Sequence, residues 1–163
     1  LKKDIHGVKD TITIGIGGSG QNKKWPIDNY ISLIKKILKI RKFNFIIAGG
    51  KEEEKDFQKI KQALDQLKVN LVSLCNHSIK DAVTEISKSK LYIGNDTGFM
   101  HIAGCLGIES YGIFGDTSIN YCDYNKKIFP IKIKKDQNDK SDDIKLVSED
   151  YVLNFFKDRL KII

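Results

Sequence analysis

At 163 residues, 40% apolar and 30% charged with only two prolines, the chain has the length of one domain and the composition of a soluble α/β fold; a disordered or fibrous chain is excluded. Its net charge of +7 is spread along helix faces and loops rather than gathered with interleaved aromatics, so no nucleic-acid partner is expected, whereas anionic small molecules or an anionic membrane surface would both be served. No apolar run approaches the roughly 20 residues of a membrane span, and the three cysteines, without C-x-x-C spacing, read as free thiols of a reducing compartment rather than as a disulfide framework or metal site.

Residues 1–10 read as a linker, and because the chain opens on Leu1 without a leader pattern, it is expected to be an excerpt. Residues 11–16 alternate branched apolar side chains into a glycine-rich turn and predict a strand. Pro26 then marks a helix start, with Ile27, Tyr30, Ile31, Ile34, Ile37 and Leu38 at helical spacing. The unit recurs as a strand at 43–48, a Gly49-Gly50 break and a helix whose expected buried stripe is Phe57, Ile60, Ala63, Leu64 and Leu67. A third strand near 69–74 leads to a helix capped by Ser78, with Asp81 three residues on, carrying Ile79, Ala82, Val83 and Ile86 inward. Strand 90–93 runs into Asn95-Asp96-Thr97-Gly98 and a buried helix over 99–106, followed by a strand at 109–114, an apolar segment at 128–133 and a polar stretch to 145. A terminal helix over about 148–161 has Ser148 as cap and Val152, Phe155, Phe156 and Leu160 as its stripe.

Strands alternating with helices need crossover connections. The expected architecture is therefore α/β: a Rossmann-like, mostly parallel sheet with helices on both faces, forming a single domain over 1–163. In such sheets ligands sit outside the carboxyl ends of the strands. The first turn, Gly15-Ile16-Gly17-Gly18-Ser19-Gly20, formally matches a dinucleotide fingerprint, but the helix waits until Pro26 and no acid ends the second strand. Gly18 and Ser19 with Lys23 and Lys24 could cradle a phosphate, and a solvated loop fits the same residues equally. Glu53 in the second turn suits either the helix dipole or a ribose diol. In the fourth turn, Asp96 reads foremost as a helix cap, since a bare carboxylate there would repel a diphosphate. His101 alone could be a core histidine; four polar groups in one apolar segment point to a site.

In order along the chain, Lys23-Lys24-Trp25-Pro26, Gly49-Gly50 with Glu53, Asn95-Asp96-Thr97-Gly98-Phe99-Met100-His101 with Ala103, and Gly112-Ile113-Phe114-Gly115 resemble glycosyltransferase family 9, the ADP-heptose:lipopolysaccharide heptosyltransferases. The resemblance implies the C-terminal, donor-binding half of a two-domain GT-B enzyme. Residue by residue it implies Lys23 on the diphosphate or sugar, Glu53 on the ribose, Thr97, Gly98 and His101 on the phosphates, Asp96 shaping the turn, and His77 near the adenine. The implied chemistry is inverting transfer without metal or other cofactor from a nucleotide-diphosphate sugar. Lys23 would stabilise the leaving group, and no catalytic residue is assigned in this chain with assurance. The general base and the acceptor site would lie in a missing N-terminal domain, and the whole enzyme at the cytoplasmic face of the inner membrane, making lipopolysaccharide core or a related glycan. The loop Asp116-Thr117-Ser118-Ile119-Asn120-Tyr121 departs from the family's Thr- and Pro-containing pattern and leaves the sugar open. The competing readings are a stand-alone nucleotide-binding or regulatory module and, more distantly, an NAD-dependent oxidoreductase.

Overall fold

The computed structural model describes residues 10–115, 118–132 and 143–163. The expected linker over 1–9, Asp116 and Thr117 of the variant loop, and the segment 133–142 lie outside them. Six strands form one parallel sheet: β1 (Thr11–Gly15), β2 (Asn44–Ala48), β3 (Leu71–Ser73), β4 (Leu91–Asn95), β5 (Glu109–Ile113) and β6 (Ile128–Ile131), in the order β3-β2-β1-β4-β5-β6. Helices α1 (Ile27–Ile40), α2 (Glu54–Leu64), α3 (Ile79–Ile86), α4 (Gly98–Cys105) and α5 (Glu149–Phe156) supply the crossovers and the end of the chain. The central strands are buried on both faces, so even the threonines that alternate with isoleucine in β1 are covered. One core cluster joins β1 and β2 side chains to α1, α2 and α5, with Ile12, Leu33, Phe45, Ile60 and Phe156 among its members. A second, on the other face, packs Ile46 and Tyr92 against Ala82 and Ile86 of α3 and Met100 of α4.

Three expected stripes change on folding. In α2 only Phe57, Ile60 and Leu64 are buried, because the helix tightens after Leu64 into a 3-10 turn (Asp65–Leu67) that shifts the phase and leaves Leu67 exposed; Ala63 lies beside the stripe and is exposed too. In α3, Ala82 and Ile86 face the core, whereas Ile79 is 73% exposed at the first helical position. The terminal helix stops at Phe156 and resumes as a 3-10 turn (Arg159–Lys161), with Val152, Phe156 and Leu160 inward and Phe155 outward.

The tail is nevertheless firmly attached. Ser148 caps α5 by accepting from the Tyr151 N–H at 3.2 Å, and Lys36 of α1 reaches Glu149 and Asp150 at 3.3 and 2.6 Å. The Trp25 indole N–H, just ahead of α1, donates to the Val147 carbonyl at 2.7 Å.

At the carboxyl ends of the central strands the register aligns Gly15, Gly94 and Gly112 across β1, β4 and β5. A Cβ on Gly94 would lie 2.3 Å from the Gly15 carbonyl oxygen, and one on Gly112 2.4 Å from Met100 Sδ. These positions are glycine because strand meets strand, and α4 meets sheet, too closely for any side chain.

Candidate functional site

The sheet order reverses at the β1/β4 boundary: the chain steps outward from β1 to β2 and β3, then returns to β4 on the other side. In parallel α/β sheets this is where ligands bind. A cavity of about 370 Å³ opens there, between the turn after β1 (Gly17, Gly18, Ser19), the turn after β2 (Gly50, Glu53) and the start of α4 (Asp96, Thr97, Gly98), with Ile79, Phe99 and Ile102 as an apolar wall.

Asn95, fully buried at the end of β4, fixes the first turn. Its amide nitrogen donates to the Ile16 and Gly17 carbonyls at 3.1 and 2.8 Å. Its Oδ1 accepts from the Trp25 backbone N–H at 3.0 Å and from the Tyr30 hydroxyl at 2.8 Å; that hydroxyl is equally close to the Gly15 carbonyl. On the opposite face, the Tyr92 hydroxyl donates to the Asn95 carbonyl at 3.2 Å. Burial drives both phenols above the ordinary tyrosine range, so each remains a protonated donor. One side chain thereby ties the β4 end, the β1 turn and the start of α1 together.

Glu53, 5% exposed, sits in a short 3-10 turn (Lys51–Glu53) that leads into α2. Its Oε2 accepts the Gly50 N–H at 2.7 Å, and its Oε1 lies 2.5 Å from Lys24 Nζ. The adjacent Lys23 closes another 3-10 turn (Gln21–Lys23), and among the described residues its ammonium has no hydrogen-bond or ion-pair partner. The two lysines therefore face different tasks: Lys24 neutralises Glu53, and Lys23 is left for another anion.

Asp96 does not cap α4. The N-cap position belongs to Thr97, in extended conformation, and makes no side-chain capping bond. The Asp96 carboxylate instead lies 3.4 Å from His101 Nε2, and His101 Nδ1 meets the Tyr124 hydroxyl. With Nε2–H turned to the carboxylate, Nδ1 of a neutral imidazole accepts from that hydroxyl. The first N–H groups of α4 have no acceptor within the helix, as at every helix start.

The sequence-derived candidates are thus distributed unevenly. Gly18, Ser19, Glu53, Asp96, Thr97 and Gly98 converge on the cavity. His101 lies behind Asp96, Lys23 stands outside the lining, and His77, also outside it, is exposed on the loop after β3, two residues before the wall residue Ile79. Ile79, assigned by its spacing to the core, takes the wall position instead. Lys24 as the partner of Glu53, Tyr124 as the partner of His101 and the apolar wall carried no sequence signal; Asn95 did, as a lone amide closing an apolar strand.

Among the described residues no group of three or more His, Cys, Asp or Glu is placed to hold a metal. Cys75 and Cys122 are buried and Cys105 is exposed. Burial, reinforced by the charges of Asp96 and Asp123, pushes the Cys122 thiol up to about 11, and burial raises that of Cys75 as well. A thiol-reactive dye at pH 8 is accordingly expected to label Cys105 promptly and the other two only on unfolding; mass mapping of the labelled peptides checks this.

A parallel sheet in this order, with a glycine-lined cavity at its switch point and helices on both faces, defines a Rossmann-like nucleotide-binding fold. The E. coli ADP-heptose lipopolysaccharide heptosyltransferase II superposes on 97% of this chain and 48% of its own with a TM-score of 0.81 at 20% identity, and E. coli heptosyltransferase WaaC, with ADP-2-deoxy-2-fluoro heptose, on 93% and 44% with a TM-score of 0.76 at 14% identity. At those identities the likeness concerns the fold. Lipooligosaccharide heptosyltransferase 2 of Campylobacter jejuni subsp. jejuni serotype O:6 is 29% identical over 99 residues, 60% of this chain and 31% of that protein. Residues 2–144 match the family described as glycosyltransferase family 9 (heptosyltransferase), and the chain belongs to that family. It spans about a third of the curated relative and about half of the structural ones. The formal dinucleotide fingerprint plays no such part here: α1 begins only at Ile27, and the acid after β2 is held by Lys24. No helix among the described residues is long and apolar enough to cross a membrane.

Proposed function

We propose that this chain is one domain, the C-terminal, donor-binding half of a family 9 glycosyltransferase that takes an ADP-sugar of the heptose class for lipopolysaccharide core or related glycan synthesis. The observation that carries the proposal is the cavity at the β1/β4 switch point, polar and glycine-lined on one side and apolar on the other. The Ile79, Phe99 and Ile102 wall suits a nucleobase, Glu53 lies within the same cavity for the ribose, and the start of α4 offers backbone N–H groups to the diphosphate. Lys23, which has no partner among the described residues, is a cation that would meet the charge building on the departing diphosphate; His101 would reach the phosphates from behind Asp96. His77, two residues before Ile79 of the apolar wall, would approach the adenine from the rim of the cavity.

In this reading transfer is inverting and needs no metal, the base and the acceptor site belong to the other domain, and this half alone performs no transfer. The excess of positive charge would hold the whole enzyme at the anionic inner face of the cytoplasmic membrane. Calorimetric titration of the chain with ADP is expected to show one site. Lys23→Ala should weaken it by about tenfold, the order of one charge-assisted hydrogen bond. Absence of heat with ADP, or an unchanged affinity in that variant, would count against the assignment.

A further inference from the structure

Among the described residues, the ionisable groups lining the cavity are Glu53 and Asp96, both acidic, in a site read above as taking a polyanion. We propose that Lys24 is a positioning residue whose charge is committed to Glu53, masking that carboxylate so that a diphosphate can enter; this rests on the reading of the cavity as a nucleotide-diphosphate site. Both oxygens of Glu53 are occupied, one by Lys24 Nζ and the other by the Gly50 N–H. The Lys24 side chain is itself three-quarters covered, 23% exposed.

The surrounding backbone is cut away for this pair. A Cβ on Gly18 would lie 2.9 Å from Lys24 Cγ, and one on Gly49 2.8 Å from Glu53 Cβ. Gly18, which reads as part of a phosphate cradle in the sequence, and Gly49, which reads as a break, therefore also make room for an ion pair between the first and second turns. If Lys24 turned to the ligand, it would strand a buried carboxylate, which is strongly unfavourable. Lys23 next to it carries no such obligation.

The charge balance can be read by the affinity ratio of ADP to adenosine, in which base and ribose contacts cancel and the diphosphate remains; NMR titration of the chain measures both ligands. Lys24→Met is expected to lower the ratio by about tenfold to a hundredfold, the scale of one uncompensated charge in the lining at an effective dielectric of about 20. Glu53→Gln is expected to raise the ratio, because it releases the Lys24 charge. The double variant should return to within about threefold of the wild type, as expected when the two effects share one interaction.

A double variant as poor as Lys24→Met would mean that Lys24 contacts the phosphates itself and would overturn the proposal, as would a lowered ratio in Glu53→Gln. Should Lys24→Met fail to fold, those two variants, which leave no carboxylate at position 53, decide alone. A wild-type chain that ignores ADP removes the donor-site reading and this inference with it; a wild type that binds ADP but shows the wrong pattern removes only the inference.

Discussion

Asn95→Asp is expected to destabilise the fold by about 3–5 kcal/mol, the range for stranding several buried hydrogen-bonding groups at once. The substitution barely alters volume, so packing is not its cause. An oxygen replaces the amide nitrogen that donates to the Ile16 and Gly17 carbonyls, and two favourable contacts become oxygen facing oxygen. The Trp25 N–H and the Tyr30 hydroxyl keep an acceptor at the other atom, which confines the damage to the β1 turn. The introduced carboxyl is buried beside carbonyls, so its folded pKa lies above its unfolded value, and its neutral form can donate to one of them. The deficit relative to wild type should therefore be smallest at low pH and grow as pH rises through the folded pKa, so it narrows as pH falls from about 7 to 5. Urea melts at several pH values measure this; a loss below about 1 kcal/mol at pH 7 would show that Asn95 is not the fastener described.

Gly94→Ala is expected to cost about 3 kcal/mol or more, through overpacking rather than lost bonding. Its methyl group would fall 2.3 Å from the Gly15 oxygen and 2.5 Å from the Gly15 nitrogen, and backbone atoms cannot rotate away as a side chain would. Relief requires β1 and β4 to part at the end that bears the cavity. Gly98→Ala provides the contrast, since a Cβ there meets nothing within 4 Å and projects into open space at the start of α4. That variant should melt like the wild type yet bind ADP more weakly, because the methyl group occupies room the ligand needs. Thermal melts with ADP titration separate the two glycines; equal melting of both variants would refute the close-approach account of Gly94.

Much of this fold is legible in the sequence because a doubly covered parallel sheet writes itself as short apolar runs, and those of β1, β2, β4 and β5 end in glycine-containing turns. Ser78 and Ser148 announce their helices, and both accept the expected N–H. Errors arise where phase alone decides burial. Leu67 follows the α2 period but sits in a 3-10 turn, and Ile79 follows the α3 period but precedes the point where that helix meets the sheet. At the site, the turns that converge can be named from their order along the chain, whereas side-chain pairings across them cannot. Lys23 and Lys24 are neighbours of identical type, and only the path of the turn shows which of them Glu53 takes. Asp96 is a reasonable cap by position, but His101 one turn further on competes for its carboxylate.

The hydrogen bond from the Trp25 indole to the Val147 carbonyl gives the site a place in time. The turn bearing Lys23 and Lys24 is made before five of the six described strands, yet Val147, which takes the Trp25 indole, follows all six. A ribosome that has released the sheet through β6 has produced the walls of the cavity without the strap between Trp25 and the segment ahead of α5. A chain cut after residue 143 would carry every strand and every cavity residue and still lack that strap, so truncations at the far end of the sequence should be felt first at its beginning.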